Sequence, residues 1–261
     1  MKRYITLTVI LALFVAGGIA LTGCGDRGAS RDYYPLGVGS YWEYNVLTYM
    51  PEGMTKMGKE VIKVVGKERV DTLECYVVDR FSIEGKVPSI AQYREFLAKT
   101  DEGIFCTKRA FPLYFRIRRL FPSLQVDIRH TDNEMRFKNR PQEGDSWKWE
   151  GVMNLNLSQN EEEVDPQNPH PPEVIQVKGS LEYKYLGRER IHVMNRDHDC
   201  IKISLFGKSD GGQEIESIIW YAPGIGRVRE EQKFYQGSDV ILNLFEISSY
   251  NIVNRESFRE N

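Results

Sequence analysis

One stretch of the sequence concentrates side chains that commonly bind metal ions. Two histidines, two aspartates and a cysteine occur there, at His192, Asp197, His198, Asp199 and Cys200. A zinc site requires three or four such ligands at a defined spacing, and no Cys-x-x-Cys or His-Glu-x-x-His motif accompanies these residues. We therefore expect a solvated hairpin loop here, with no bound metal and no cofactor.

The sequence contains none of the short motifs that mark common enzyme classes. It has no Gly-x-Ser-x-Gly nucleophile elbow. Ahead of Gly207-Lys208-Ser209, the glycine that a phosphate-binding loop requires is replaced by Lys202. A periplasmic enzyme is the least favoured alternative, and its candidate site residues would be His192, Asp197 and His198. We expect no catalytic residues and a protein that is not an enzyme.

Four aromatic side chains are spaced so that they could form a floor for an apolar ligand. Trp42 and Tyr44 are two positions apart, as are Trp147 and Trp149, and on a strand such pairs share one face. They could hold an acyl chain or a sugar, or they could fill the hydrophobic core. Because the same spacing follows a glycine in both places, the core is the favoured interpretation.

A segment between residues 108 and 122 interleaves cations with aromatic side chains. Its arginines include Arg116, Arg118 and Arg119. They could contact anionic head groups or an envelope protein, and each cation near such a surface would contribute about 1 kcal/mol. The alternation of apolar and charged positions equally describes a half-buried strand, so both interpretations stay open.

Apart from Cys24, three cysteines are available for structural roles: Cys75, Cys106 and Cys200. They allow at most one intramolecular disulfide. Cys75 and Cys200 stand in apolar strand-like runs, which favours buried packing. If a bridge forms, Cys75 with Cys106 is the expected pair.

Three sequence blocks occur twice in the same order, which predicts a duplicated module. The paired blocks are residues 39–44 and 144–149, 66–70 and 187–191, and 96–98 and 220–222.

The local patterns are those of β-strands. Runs of alternating apolar residues, such as Ile201, Ile203 and Leu205, are bounded by Gly, Asp and Asn. The best helix candidate, residues 88–100, has a β-branched and aromatic counterpart at 213–221. We predict a mainly β protein of two tandem antiparallel β-sheet modules, each a curved sheet or half-barrel.

The predicted organisation has five parts. They are a signal peptide (1–23), a lipidated tether (24–33), a β module copy one (34–138), a copy two (139–254) with an acidic, proline-rich loop (160–174), and a tail (255–261).

The composition excludes several classes of protein. The 261 residues are 41% hydrophobic, and 35 Lys and Arg against 37 Asp and Glu give a formal net charge of −2. This composition excludes a disordered chain and a polytopic membrane protein. Nucleic-acid-binding domains are usually strongly basic, so we expect no nucleic-acid partner.

The first 24 residues have the pattern of an export signal. A basic start, Met1-Lys2-Arg3, precedes an uncharged apolar run over residues 4–20. The run ends at Leu21-Thr22-Gly23-Cys24 rather than at a basic stop-transfer cluster, which favours a cleaved signal over an anchor helix.

The segment Leu21-Thr22-Gly23-Cys24 resembles the lipobox of bacterial lipoproteins. The resemblance implies removal of residues 1–23 and attachment to the membrane through acyl chains, such as palmitate, on Cys24. Gly25 stands where an aspartate would resemble an inner-membrane retention signal, so the outer membrane, facing the periplasm, is implied. The tether, residues 25–32, reaches about 26 Å at about 3.3 Å per residue.

The chain as a whole resembles a group of envelope lipoproteins whose modules open and close with defined motifs. Residues 35–44 match the opening Pro-Leu-x-x-Gly-x-x-Trp-x-Tyr, and residues 220–226 match the closing Trp-Tyr-Ala-x-Gly-x-Gly. The resemblance implies a half-barrel similar to the LolA and LolB carriers, which hold acyl chains. We expect a non-catalytic binding or structural module, with a carrier of a lipid or other apolar ligand as the alternative.

Overall fold

The computed structural model describes residues 32–83, 93–111, 124–159 and 173–253. Within these ranges the chain forms twelve β-strands. No helix in this part of the chain has the length and hydropathy needed to cross a membrane. The strands are β1 (Tyr41–Tyr49), β2 (Thr55–Val70), β3 (Leu73–Ile83), β4 (Tyr93–Lys99), β5 (Gly103–Phe111), β6 (Leu124–Lys138), β7 (Ser146–Gln159), β8 (Glu173–Val193), β9 (Arg196–Ser209), β10 (Glu214–Ala222), β11 (Gly226–Gln236) and β12 (Asp239–Asn251).

The strands follow from alternating apolar residues, as β9 illustrates. Ile201 and Ile203 are each 1% exposed, whereas Lys202 between them is half-buried. Successive side chains of a strand point to opposite faces, so this pattern buries one face in the core and leaves the other to solvent. The prediction of a mainly β protein is confirmed.

The twelve strands form one antiparallel sheet that closes into a barrel. Each strand pairs with its neighbours in the chain, and β1 also pairs with β12, where Trp42 lies opposite Tyr250. Strands β1–β6 and β7–β12 fall in the two predicted copies, and they join at β6–β7 and at β12–β1. Closure goes beyond the expected half-barrel and leaves no free sheet edge among these strands.

Irregularities in the strand pairing occur at matching places in the two halves. A residue is bulged between Val64 and Gly66 where β2 pairs with β3, and between Tyr185 and Gly187 where β8 pairs with β9. A second pair of register shifts lies where β4 meets β5 and where β10 meets β11. These shifts fall between Phe96 and Leu97 and between Trp220 and Tyr221.

Residues 32–40 close one end of the barrel, which we name the capped end. Tyr33 and Leu36 are buried there, and the backbone N–H of Gly224 donates to the Asp32 carbonyl over 2.7 Å. A Cβ on Gly37 would lie 1.6 Å from the Val253 carbonyl oxygen, so only glycine allows this close backbone approach. The capping segment therefore contacts both the turn between β10 and β11 and the chain that follows β12.

The structure decides two local interpretations. The described end of the helix candidate 88–100 is strand β4, paired with β3 and β5, which agrees with its β-branched and aromatic counterpart. Strand β8 begins at Glu173, inside the segment expected to be a loop. Residues 84–92, 112–123 and 160–172 lie outside the described residues, and with them most of that loop.

The turn predicted at Pro223-Gly224 is confirmed. It connects β10 to β11, and Gly224 has φ of +71°, a value that glycine adopts without steric cost.

Candidate ligand-binding lumen

The barrel encloses a cavity of about 410 Å³. This volume lies in the range of small-molecule sites. Tyr34 and Leu36 of the capping segment form its floor, with Trp42 and Ile62 beside them. The barrel fold therefore leaves its interior partly open above a closed end.

One wall of the cavity is charged. Strands β2, β3, β5, β6 and β11 contribute four arginines and three glutamates to the lining. Glu95 on β4 is buried beside them and pairs with three of these arginines. The complete set is Glu60, Arg80, Glu95, Arg109, Glu134, Arg136, Arg227 and Glu230. We name these eight residues the lumen charge network. Their formal charges sum to zero, which is the condition under which so many buried ions are tolerated.

Glu95 on β4 is the centre of the network. Its carboxylate is 1% exposed and contacts three guanidinium groups. Arg80 Nη2 lies 3.0 Å from Oε2, while Arg136 Nη2 and Arg109 Nε lie 2.6 Å and 3.5 Å from Oε1. Burial alone would raise the pKa of the Glu95 carboxyl, but the three arginines hold it far below its usual range. Glu95 is therefore ionised at neutral pH and does not act as a proton donor there.

Glu134 on β6 extends the network toward the second half of the barrel. Arg136 Nε lies 2.7 Å from its Oε1, and Arg109 Nη2 contacts its Oε2. The Tyr183 hydroxyl donates to Oε1 over 2.6 Å. Burial first, and then the Glu134 carboxylate, raise the pKa of Tyr183 well above its ordinary value, so the phenol remains a hydrogen-bond donor.

Arg227 on β11 forms the other end of the network. Its guanidinium contacts Glu60 and Glu230 and lies 4.1 Å from the centre of the Tyr44 ring, a cation–π geometry. The Tyr44 hydroxyl donates to the Arg227 carbonyl over 2.9 Å. Burial raises the pKa of Tyr44 to about 12. Arg80 links the two ends, because its Nη1 lies 3.6 Å from Glu60.

Much of the remaining lining is apolar. Strands β8–β10, together with β12 on the far side of the charged strand β11, line the cavity with Leu181, Leu205, Ile215, Ile219 and Phe245. The lumen is thus divided between a charged side and an aliphatic side, so it suits a molecule with one polar and one apolar part.

The division follows matching positions in the two halves. Glu60 precedes the bulge glycine Gly66 by the same number of residues as Leu181 precedes Gly187. The next strands show the same relation. Val78, opposite Val64, pairs with Glu95, and Ile203, opposite Tyr185, pairs with Ile219. At these two positions the first half has an ion where the second half has an aliphatic side chain.

The structure separates the four aromatic candidates. Trp42 and Tyr44 line the cavity, and Trp42 Nε1 donates to the Ile225 carbonyl. Trp147 does not line it, since it stacks on Tyr183 with ring centres 5.5 Å apart and donates to the Met135 carbonyl. Trp149 is buried away from the cavity. The first pair is available to a ligand, and the second packs within the structure.

The described cysteines are free thiols. The expected pairing of Cys75 with Cys106 is wrong for a geometric reason. Cys75 lies opposite Ala98, whereas Cys106 lies opposite Leu97, the next residue of β4. Since adjacent strand residues face opposite ways, the two thiols lie on opposite faces of the sheet.

The metal-type cluster flanks an exposed hairpin turn. The His192 Nδ1 and Asp197 Oδ1 atoms are 2.7 Å apart on β8 and β9, beside the turn at Met194 and Asn195. Within the described ranges, no three His, Cys, Asp or Glu side chains are placed to hold a metal ion. Arg116, Arg118, Arg119 and Cys24 lie outside the described residues, so their roles stay predictions.

The lumen charge network was not predicted from the sequence, although the two-residue alternation of the strands indicates it. Glu60 precedes buried Ile62 by two positions, and Arg80 follows buried Val78 by two. Those positions share a strand face with core residues. A charged residue in phase with buried neighbours on several adjacent strands is the pattern that would have found the site.

No protein family profile and no curated protein matches this sequence. Among solved structures, the chain is similar to an exported Bacteroides fragilis protein described as having a YmcC-like fold, at 14% identity. The match covers 86% of this chain and all of that one, with a TM-score of 0.46. The chain is also similar to a Parabacteroides distasonis protein described as a lipoprotein, at 12% identity. That match covers 86% of this chain and 100% of the other, with a TM-score of 0.44.

The Escherichia coli lipoprotein YmcC is similar at 11% identity, with 80% of this chain and 88% of that one covered and a TM-score of 0.31. These similarities are remote, and they establish no family for the chain.

Proposed function

We propose that this chain is a lipid-anchored protein of the bacterial cell envelope whose barrel binds an amphipathic small molecule. The observation that carries the proposal is the divided cavity of about 410 Å³, with the lumen charge network on one side and aliphatic side chains on the other. A core that served stability alone would gain more from close packing, because empty volume costs free energy. The polar wall orients the ligand, and the aliphatic wall supplies affinity through buried area.

The anchor in this proposal is Cys24, acylated after removal of residues 1–23. Two or more acyl chains hold a protein on a membrane far more firmly than one. Asp32, the first described residue, is tied into the capped end, where Lys99 Nζ lies 2.6 Å from its carboxylate. The described chain therefore begins at the capped end of the barrel. We assign the protein to the outer membrane, facing the periplasm, because Gly25 follows the cysteine.

We also propose that the barrel arose by duplication of a six-stranded unit. The matching bulges at Gly66 and Gly187 support this origin, as does the shared order of the three repeated blocks. After duplication, the two copies diverged at matching lumen positions, such as Glu60 and Leu181, and this divergence created the divided site.

A binding role without catalysis is favoured by the protonation states in the lumen. A general acid or base works best with a pKa near the working pH. The arginines hold the pKa of the Glu95 carboxyl well below that range, and burial raises that of Tyr44 well above it.

The test is to purify the full-length chain from bacterial membranes and to quantify extracted amphiphiles by mass spectrometry. We expect about one bound amphiphile per chain beyond the acyl groups on Cys24. In the variant Leu181→Trp with Leu205→Trp, the larger side chains fill the apolar wall, so the bound amount should fall at least about fivefold.

The matched control shifts both substitutions by one residue, to Glu182→Trp with Phe206→Trp. Glu182 and Phe206 are exposed and lie opposite each other on the outer face. This control should retain the ligand of the wild type. Equal amounts in both double variants would refute lumen binding, and the absence of acyl mass on Cys24 would refute the anchor.

A further inference from the structure

The lumen charge network leaves specific hydrogen-bond donors unused. Arg109 engages Glu95 and Glu134 through Nε and Nη2, and Arg136 does so through the same two nitrogens. In the described part of the chain, neither Nη1 group has a hydrogen-bond or ion-pair partner. Both residues line the cavity and keep 14% and 22% of their side chains exposed, so these donors face its interior.

The ion pairs around these donors are balanced. Arg109 and Arg136 pair with Glu95 and Glu134. Arg80 links Glu95 to Glu60, and Arg227 pairs with Glu60 and Glu230. The unused donors of Arg109 and Arg136 are therefore the positive groups that a ligand can reach.

The carboxylate of Glu60 restricts where an anion can lie. Both ion pairs of Glu60 use Oε1, which leaves Oε2 without a described partner. A ligand anion beside Glu60 would meet the oxygen of a carboxylate, whereas beside Arg109 it would meet a guanidinium edge suited to planar oxyanions. From there the apolar wall is reached through Tyr183, which contacts Glu134 and lines the same cavity.

We infer that the ligand of the lumen is a single-chain amphiphile with a monovalent anionic head group, a carboxylate or a phosphodiester, held by Arg109 and Arg136. This inference rests on the proposed function, because it assumes that an amphiphile enters the lumen. The two unused guanidinium groups suit the two oxygens of one planar oxyanion, which favours an anionic head group over neutral and cationic ones. The apolar chain lies against Leu181, Leu205 and Ile219.

The experiment uses the full-length chain in phosphatidylcholine nanodiscs and a photoactivatable analogue of palmitate. Labelled peptides are mapped by mass spectrometry, and unlabelled competitors are added in turn. The competitors are palmitate, lysophosphatidylglycerol, hexadecanol and hexadecyltrimethylammonium. We expect labelling on strands β8–β10, with palmitate or lysophosphatidylglycerol competing at least about tenfold better than hexadecanol and the cation. The stronger of the two anions identifies the source of the head group.

Variants locate the head group. Arg109→Gln should reduce lumen labelling about tenfold or more, because it removes one of the two free guanidinium edges. The control Arg229→Gln changes an arginine that pairs with Glu231 and is 37% exposed, so it should label like the wild type. If Arg109→Gln fails to fold, the ranking of competitors on the wild type decides the inference by itself.

The outcomes separate this inference from the proposed function. Hexadecanol competing as well as palmitate would overturn the anionic head group and leave lumen binding in place. Labelling without competition, or labelling that avoids β8–β10, would overturn both.

Discussion

Most ions of the lumen belong to the first half of the barrel, whereas three strands of the second half line the same lumen with aliphatic side chains. Strands β2, β3 and β5 contribute Glu60, Arg80 and Arg109, and strands β8–β10 contribute Leu181, Leu205 and Ile219. In the second half, β11 adds one pair of ions to the lining. The backbone is similar in both halves, down to the bulges before Gly66 and Gly187. One strand framework thus supports two kinds of interior, provided that the ions neutralise one another.

The two interiors are stabilised differently. The apolar wall gains free energy from each buried area independently, so a single truncation there has a local cost. In the charged wall, each ion depends on partners from other strands, and the removal of one leaves the rest underpaired. The charged half should therefore respond to single substitutions more strongly than the apolar half.

The largest effect is expected from Glu95→Ile, which gives the first half the residue type of the second. It removes the carboxylate shared by Arg80, Arg109 and Arg136. Urea unfolding should show a free energy of unfolding lower by about 3–5 kcal/mol. The counterpart Ile219→Val should cost about 0.5–1.5 kcal/mol. Equal losses for the two variants would mean that the halves are not stabilised differently.

Acid should weaken the charged half selectively. The pKa of the Glu95 carboxyl is lower in the folded chain than the 4.5 of an unperturbed glutamate. Its stabilising contribution is therefore complete above about pH 4.5 and is lost as the pH falls toward the folded-state pKa. Below about pH 4.5 this one group lowers the free energy of unfolding by up to about 1.4 kcal/mol per pH unit.

The acid effect is measured by urea unfolding at a series of pH values for the wild type and Glu95→Gln. The glutamine cannot titrate, so the stability difference between the two proteins should shrink as the pH falls. Parallel profiles would show that Glu95 does not carry the effect.

A smaller difference is expected between the two opening tryptophans. Trp42→Phe leaves the buried Ile225 carbonyl without its donor, so it should cost about 1–2 kcal/mol. Trp147→Phe affects a half-buried hydrogen bond to Met135 and should cost about 0.5–1 kcal/mol. Thermal unfolding of both variants checks the order, and a larger loss for Trp147→Phe would reverse our ranking.

The smallest effect concerns thiol reactivity, which should be low in both halves. Burial raises the pKa of Cys106 to about 11 and that of Cys200 to about 12, and the thiolate is the reactive form. At about pH 8, iodoacetamide should modify these thiols at least about a hundredfold more slowly in the folded than in the urea-unfolded chain. Mass spectrometry of timed samples measures this ratio, and rapid labelling of Cys106 alone would indicate an accessible lumen.

Much of the fold was predictable because strand alternation is a local property. The alternation of apolar residues such as Ile201 and Ile203 with polar neighbours indicates which face of the strand is buried. The repeated blocks indicate where strands recur. Barrel closure was not predictable, because it depends on the pairing of Trp42 with Tyr250 at the far ends of the sequence. No local pattern encodes that contact.

The candidate site was only half predictable. Trp42 and Tyr44 were selected by their spacing and do line the cavity. The ions were missed because a lone Glu or Arg on a strand usually faces water. Burying such a charge costs free energy, and only ion-pair partners on other strands offset that cost. Which residues become partners depends on the register in which neighbouring strands pair, and this register cannot be read from the sequence.

The seam between β1 and β12 also has a consequence for how the chain folds. The first strand cannot complete its hydrogen bonds until the last strand is available, so two edges of the sheet stay unpaired until late in folding. Topologies dominated by such distant pairings fold slowly and are prone to aggregate on the way. This delay creates a period in which a chaperone can bind the unpaired strands.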